Sequence, residues 1–285
     1  MNRKTMGRIA AAAFTLAAFT LQACGNLKVQ NNDEKYTPYT DTTVIGSITI
    51  PITTHYAKMA SCQTGLGSIV ADTMQLKTGA VFAVVNAGTV RWNPPDPVSD
   101  MLPAGPITKG DVARFLPYDN LSGAAPATNP STIVAVDVSG AVIKELFENS
   151  FSRMLADGTP GTSFGRFLQI SDYVQVFADV TKPVGSRITA VNLRTFNPDT
   201  VTPINLADTT RLYRIAVLKK YIKNSPGYAD YDKYWDILAK GSNVVDSNVY
   251  IYDAVVDTFL KYSPLKFLDA TDCSDPRLNL VITHQ

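Results

Sequence analysis

A serine between two glycines is the first pattern in the chain that could do chemistry. Residues Gly161–Gly165 read Gly-Thr-Ser-Phe-Gly, and Asp272 and His284 follow in the order of a hydrolase catalytic triad. That nucleophile elbow requires a strand before the serine and a helix after it. Here the turn-forming residues Asp157–Pro160 precede the motif and a predicted strand follows it. We therefore do not expect a serine hydrolase.

Histidine supply limits the metal chemistry of the chain. The only two histidines are His55 and His284, and the sequence contains no Asp-x-His or Gly-Asn-His. A dinuclear phosphoesterase site needs several histidine and carboxylate ligands with supporting partners. We therefore expect no metal, cofactor or catalytic residue in this chain. The formal net charge of +1 shows none of the basic excess that is typical of nucleic-acid binding, so we expect no nucleic-acid partner.

The N-terminal segment has the features of an export signal. Three basic residues precede an apolar run, Ile9–Leu21, which is too short to span a bilayer comfortably. Leu21–Cys24 reads Leu-Gln-Ala-Cys and resembles a bacterial lipobox, in which cleavage precedes a cysteine that is then acylated. We expect residues 1–23 to be a signal peptide and Cys24 to carry the lipid anchor. An ordinary signal with a coincidental cysteine is the alternative. Gly25, where inner-membrane lipoproteins often carry Asp, favours the outer membrane, facing the periplasm or the cell surface.

The predicted mature chain consists of a tether and one domain. Residues 24–43 are polar and are interpreted as a tether, whereas residues 44–285 contain the apolar periodicity of a folded domain. Two cysteines remain after acylation, Cys62 and Cys273. An oxidising compartment permits a disulfide between them, and two buried thiols are the alternative.

The periodicity predicts an α+β fold with a mixed sheet and flanking helices. Strands and helices interleave without regular βαβ spacing, which excludes a doubly wound sheet. Thr108 with Asp111 forms a predicted capping box, and Ser139 is a second predicted N-cap. The predicted strands are 44–52, 80–85, 132–138, 167–171, 174–177, 187–193 and 211–218, and the predicted helices are 65–77, 108–116, 139–154 and 248–262.

Seven short segments, in one order, resemble the C-terminal domain of the 5′-nucleotidase family. Each is weak alone, but their common order and spacing from Gly65 to Tyr228 make the signal specific. The segments are Leu66–Met74, Asn86–Arg91, Gly105–Asp111, Leu116–Asn120, Gly165–Ser171, Lys182–Arg187 and Tyr213–Val217.

The resemblance implies a nucleoside site made of two aromatic rings, an arginine and an asparagine. By position, Arg91 would face the substrate, Tyr118 would stack on the base, Asn120 would contact the base or ribose, and Tyr221 would be the second stacking ring. These residue types suit the task, because a tyrosine face stacks on any base and arginine supplies a planar fork of donors. Two half-buried core tyrosines are the alternative. Three lysines within 219–223 could attract a phosphate or form a solvated face.

Departures from the family pattern qualify the function that the resemblance implies. The loop Asn224–Tyr228 reads Asn-Ser-Pro-Gly-Tyr where the family has Gly-Gly-Asp-Gly-Tyr, and prolines follow Trp92. In the family a separate N-terminal metallophosphatase domain performs hydrolysis, and too few residues separate Cys24 from Leu66 to hold it. We expect an envelope lipoprotein that binds a nucleotide or nucleoside without hydrolysing it alone. The alternatives are half of a split hydrolase with a metallophosphatase partner, or an interaction lipoprotein whose site has decayed.

Overall fold

A computed structural model describes residues 41–90, 101–116, 131–161, 164–196, 199–225, 233–266 and 278–281. All of them fall within one unit, Tyr36–Gln285. The strands are β1 Val44–Ile48, β2 Ile52–Thr53, β3 Phe82–Asn86, β4 Met101–Leu102, β5 Gly105–Thr108, β6 Thr132–Ser139, β7 Leu168–Ile170, β8 Val174–Asp179, β9 Ile188–Phe196, β10 Asp199–Pro203, β11 Leu212–Leu218, β12 Ser242–Tyr250 and β13 Leu278–Val281.

Helices alternate irregularly with these strands, as the sequence predicts. They are α1 Tyr56–Met59, α2 Gly65–Thr78, α3 Lys109–Phe115, α4 Gly140–Phe151, α5 Trp235–Leu238 and α6 Ile251–Tyr262, with 3₁₀ turns at Phe164–Arg166 and Lys219–Tyr221. None of the helices in the described ranges is both long enough and apolar enough for a membrane crossing.

The central sheet has five strands in the order β12-β6-β11-β3-β7. β11 and β3 run parallel, and the other neighbouring pairs run antiparallel. A second sheet has the order β10-β9-β8-β13, in which β13 is parallel to β8. Both sheets therefore combine the two pairing directions, which confirms the prediction of an α+β fold with mixed sheets.

The predicted helix caps are present. The Thr108 side chain accepts from the main-chain N–H of Asp111, and the Asp111 carboxylate accepts from that of Thr108 at 2.9 Å. Ser139 accepts from the main-chain N–H of Val142 at the start of α4. These bonds satisfy donors that a helix terminus otherwise leaves unpaired, which explains why both helices begin where the sequence predicts.

Several element boundaries were predicted incorrectly; for example, α4 ends at Phe151 instead of Met154, and β9 continues to Phe196 instead of ending at Leu193. The helix expected from Asn248 begins at Ile251, because Asn248 has a φ of 57° and belongs to strand β12. The strand expected over 44–52 is β1, which ends at Ile48; a break separates it from β2. The end of the predicted tether is joined to the domain, since the main-chain oxygens of Asp41 and Thr43 accept from Gly110 and Lys109.

A pair of glutamines fixes the segment before α2 to strand β7. Gln169 is fully buried; its amide donates to the main-chain oxygens of Met59 and Cys62, and its oxygen accepts from the N–H and hydroxyl of Thr64. Gln63 reciprocates through bonds to the main chain of β7. Helix α2 passes directly over Gln169: a Cβ on Gly67 would lie 2.0 Å from its side-chain oxygen. The glutamines therefore determine how closely α2 packs on the central sheet.

A buried acid and a buried arginine fix α4 to the turn between β8 and β9. The Glu148 carboxylate accepts from the main-chain N–H groups of Gly185 and Ile188 at 3.0 and 2.8 Å. Arg187 donates in the other direction, to the carbonyl oxygens of Phe151 and Met154 at the end of α4. We call Glu148, Gln169 and Arg187 the clamp residues, because each holds main-chain groups of a different element.

Candidate functional site

The carboxyl ends of β3 and β11 lie at one edge of the central sheet, because these neighbouring strands are parallel. Asn86 ends β3 and a turn continues to Thr89, while the 3₁₀ turn Lys219–Tyr221 follows β11. We call the two segments Asn86–Thr89 and Lys219–Tyr221 the β3–β11 edge.

Tyr221 and Asn86 join the two segments of the edge. The Tyr221 hydroxyl donates to the side-chain oxygen of Asn86 and accepts from the Asn86 main-chain N–H at 3.2 Å. The Thr89 hydroxyl donates to the same Asn86 oxygen. One asparagine side chain thus connects the turn after β3 with the turn after β11.

A second tyrosine covers the ring of Tyr221. The Tyr234 ring centroid lies 5.3 Å from that of Tyr221 at an interplanar angle of 58°, and the Tyr234 hydroxyl donates to the main-chain oxygen of Arg166. Tyr221 is 5% exposed and Tyr234 is 1% exposed. A base that stacks on Tyr221 therefore requires the aromatic pair to open.

The turn after β3 is held against the segment that precedes β7. The Gly88 N–H donates to Gly165 O at 3.1 Å, and the Ala87 N–H donates to Phe167 O at 2.7 Å. A Cβ on Gly88 would lie 3.2 Å from the Gly165 Cα, closer than most side-chain contacts allow. Glycine at position 88 therefore permits the close approach of two backbones beside Asn86.

Lysines flank the edge, and two of them are paired with carboxylates. Lys219 lies 2.9 Å from Asp246, and Lys223 lies 2.6 Å from Asp236. The hydrogen bond from Lys223 lowers the pKa of the Asp236 carboxyl. Lys220 Nζ lies 5.8 Å from the centroid of the Tyr221 ring. These pairs place positive charge beside the edge, most of it balanced locally.

Of the four predicted nucleoside-binding residues, the described part of the chain includes Tyr221. Arg91, Tyr118 and Asn120 lie outside the described residues, so their roles stay predictions. Tyr221 follows β11 in the 3₁₀ turn Lys219–Tyr221, and its role as a stacking ring also stays a prediction.

Cys62 is disulfide-bonded, whereas Cys24 and Cys273 lie outside the described residues. The predicted pairing with Cys273 and the acylation of Cys24 therefore stay predictions. Cys62 follows α1, and its main-chain oxygen accepts from the Gln169 amide. The disulfide is thus attached to the loop that the clamp residue Gln169 holds.

The surroundings of the Gly-Thr-Ser-Phe-Gly motif differ from a nucleophile elbow. Ser163 and His284 lie outside the described residues. The 3₁₀ turn Phe164–Arg166 and strand β7 follow position 163, where an elbow requires a helix. Among the described residues, no group of three or more His, Cys, Asp or Glu side chains is arranged to hold a metal ion.

Sequence reasoning missed Asn86, Thr89 and Tyr234 as site residues. Asn86 and Thr89 lie within a segment that carries the family resemblance, but Arg91 was the residue of that segment predicted to face the substrate. Tyr234 belongs to a run of aromatics at helical spacing, for which core packing is the usual explanation. The parallel pairing of β3 with β11 brings these residues together, and no local pattern reports that pairing.

Comparisons with known proteins agree with this architecture. The model of the family "5'-nucleotidase, C-terminal domain" matches residues 44–228. No curated protein sequence matches the chain. A 5′-nucleotidase precursor from Thermus thermophilus is 22% identical with a TM-score of 0.63, over 85% of this chain and 40% of that one.

Two further solved structures share the fold. An NAD nucleotidase from Haemophilus influenzae is 16% identical with a TM-score of 0.61, over 86% of this chain and 39% of its own. A sulfate thiohydrolase from Thermus thermophilus is 13% identical with a TM-score of 0.54, over 86% and 36%. The chain thus spans about two fifths of the length of these structures. The match to the family model shows that the chain belongs to the 5′-nucleotidase C-terminal domain family.

Proposed function

We propose that the protein is an envelope lipoprotein that binds a nucleotide or nucleoside at the β3–β11 edge without hydrolysing it alone. The observation that carries the proposal is the contact between Asn86 and Tyr221. It joins the turn that leads to Arg91 with the turn that holds the second implied stacking ring. Membership of a family of substrate-binding domains supports nucleotide chemistry at this position.

The side chains at the edge suit a nucleoside. Tyr221 offers an aromatic face for a base, Asn86 offers one amide with both a donor and an acceptor, and Thr89 adds a hydroxyl. The resemblance implies that Tyr118 would add a second aromatic face and Arg91 a guanidinium for a phosphate or ribose oxygen. In this proposal the Tyr221–Tyr234 pair opens to admit the base, and Asn86 exchanges its bond to Tyr221 for one to the ligand.

Affinity for the isolated chain should be weak. Base–aromatic stacking contributes about 1–3 kcal/mol per base. Two stacking rings and one arginine contact, less the cost of association, correspond to dissociation constants from high micromolar to millimolar.

A second candidate is the binding half of a split hydrolase. The solved neighbours are more than twice as long as the region that this chain matches, and in this second candidate a partner supplies the remainder. In that case a separate metallophosphatase polypeptide holds the metal ions, and hydrolysis of a nucleotide starts only when both chains are mixed.

Acylation of Cys24 is the basis of the proposed location. The basic start, the apolar run and the Leu-Gln-Ala-Cys sequence support a lipid anchor, and Gly25 supports the outer membrane, facing the periplasm or the cell surface. Incorporation of radiolabelled palmitate in cells, and its loss in Cys24→Ala, tests this part independently of binding.

The binding proposal is tested by titration of adenosine and AMP into the full chain. Calorimetry should give saturable binding in the high-micromolar to millimolar range, weakened at least tenfold by Tyr118→Ala or Tyr221→Ala. Tyr262→Ala removes an exposed tyrosine on α6 and serves as the control, with unchanged affinity. Absence of binding up to several millimolar, with or without a metallophosphatase, would contradict both candidates. The remaining alternative would be an interaction lipoprotein whose site has decayed.

A further inference from the structure

A small cavity lies between the end of α4 and the segment that precedes β7. Ser150, Arg153, Gly161 and Arg166 contribute to its lining, and no carboxylate among the described residues does. Its volume of about 10 Å³ is at the lower limit for one water-sized particle. The cavity thus accepts a single small occupant.

Arg166 is buried beside this cavity, and no described residue provides a counterion for it. It is 6% exposed, and one guanidinium nitrogen donates to the Ser152 hydroxyl at 3.0 Å and to Asn149 Oδ1 at 3.4 Å. Its Nε is buried and has no acceptor in the structure. Within the described ranges no carboxylate lies within ion-pair distance of the guanidinium. Buried charges in proteins are normally paired, because an isolated one is strongly destabilising.

Positive charge accumulates around the end of α4. Arg153 is exposed at the cavity, and Arg187 is buried with its guanidinium on the last carbonyl oxygens of the helix. The C-terminal dipole of a helix is equivalent to only about half a negative charge. The buried carboxylate of the same helix, Glu148, accepts from main-chain N–H groups of the β8–β9 turn. The surplus charge at the cavity is therefore positive.

The polar side-chain groups at the cavity are donors. Ser150 Oγ already accepts from the Leu168 N–H at 2.9 Å, so its O–H is available as a donor, and the buried Arg166 Nε–H has no acceptor among the described residues. A water molecule would need acceptors for its own two protons, whereas a monoatomic anion needs only donors. We propose that Arg166, Ser150 and Arg153 bind a halide ion, chloride in the cell envelope.

The ion would support the β3–β11 edge. The main-chain oxygen of Arg166 accepts from Tyr234, and that of its neighbour Gly165 accepts from Gly88. The first bond holds the ring that covers Tyr221, and the second holds the turn after β3. Both attach to the segment that carries Arg166, whose charge the ion would neutralise. Halide binding should therefore stabilise the fold and the edge together, whether or not the edge binds nucleosides.

Bromide tests the site directly. Crystals of the full chain grown in sodium bromide should give an anomalous difference peak at the bromine edge, within hydrogen-bond distance of the Arg166 guanidinium and Ser150 Oγ. Density for water alone, or an empty cavity at saturating bromide, would overturn the proposal. This measurement needs no variant and is independent of folding defects.

Thermal unfolding provides the second measurement. Sodium chloride and sodium bromide should raise the Tm of the full chain by about 2–4 °C above sodium methanesulfonate at equal ionic strength, with saturation. Arg166→Met should lose this increment, whereas Arg211→Met, which removes an exposed arginine, should keep it. An equal rise in methanesulfonate, or an undiminished rise in a folded Arg166→Met, would contradict a specific halide site.

Discussion

Gln169 and Tyr221 each bury a polar side-chain group, but the hydrogen-bond partners of the two groups differ in kind. Gln169 makes four hydrogen bonds, three of them to main-chain groups. The Tyr221 hydroxyl bonds to Asn86, and its ring meets another aromatic side chain. Main-chain partners move only when the chain moves, whereas side chains exchange partners by rotation. The clamp residues are therefore suited to stability, and the β3–β11 edge is suited to opening for a ligand.

Replacement of a clamp residue should have the largest effect. Gln169→Leu leaves buried donors and acceptors of Met59, Cys62 and Thr64 unpaired, each at a cost of about 1–3 kcal/mol. We expect the free energy of unfolding, measured by urea denaturation, to fall by about 3–5 kcal/mol. Gln75→Leu, in a partly exposed position on α2, should change it by less than about 1 kcal/mol. Equal losses of unfolding free energy in the two variants would show that the clamp residue Gln169 contributes no more to stability than the partly exposed Gln75.

Replacement of Glu148, the acidic clamp residue, should lower the free energy of unfolding by a smaller amount. Glu148→Gln replaces one acceptor oxygen by an NH₂ group that faces a main-chain N–H, and we expect a loss of about 1–3 kcal/mol in urea. Glu145→Gln changes the same helix at the exposed pair with Lys240 and should cost less than about 1 kcal/mol. A Glu148→Gln variant as stable as Glu145→Gln would show that the α4 connection contributes little.

At the edge, two substitutions of Tyr221 should distinguish the effect of its hydroxyl group from the effect of its ring. Tyr221→Phe removes the bonds to Asn86 and should lower stability by about 0.5–1.5 kcal/mol. Because the ring remains for stacking, its affinity for adenosine should stay within about threefold of the unmodified chain, while Tyr221→Ala loses tenfold or more. Tyr262→Phe is the control for both measurements. Equal losses of affinity in Phe and Ala variants would assign recognition to the hydroxyl instead of the ring.

The smallest effect concerns the charges beside the edge. The hydrogen bond from Lys223 keeps the pKa of Asp236 below the ordinary value of 3.8. A depressed pKa stabilises the fold fully above the unfolded-state pKa, and this contribution is lost as the pH falls through the lower folded-state value. In a carboxyl ¹³C titration, Lys223→Met should raise the pKa of Asp236 relative to the unmodified chain, whereas Lys220→Met should leave it unchanged. No change in Lys223→Met would show that the pair does not form in solution.

Local sequence signals predict much of the fold. Capping at Thr108 and Ser139 and the apolar faces of α2, α4 and α6 depend on neighbours in the chain, so the sequence reports them directly. Strand β12 was missed because Ser242–Tyr250 lies at a sheet edge with most side chains exposed, and its register shifts twice against β6. An edge strand of this kind carries little alternation of apolar and polar residues.

The site is less accessible to such reasoning than the fold. Glu148 occupies a helix whose apolar face was recognised, but nothing local indicates that its carboxylate is buried against a turn 37 residues away. Likewise, Asn86 and Tyr221 are 135 residues apart and meet only because β3 pairs with β11. The family resemblance singled out Tyr221, whereas its partners Asn86 and Tyr234 could be identified only from the three-dimensional arrangement.

One measurement tests the central claim most directly: two-dimensional NMR of the ¹⁵N-labelled full chain during titration with adenosine. We predict saturable shifts of amides in Asn86–Thr89 and Lys219–Tyr221, with the amides of Gln169 and Gly185–Ile188 unchanged. Shifts that spare the β3–β11 edge and appear elsewhere, or no shifts at several millimolar adenosine, would contradict a nucleoside site at that edge.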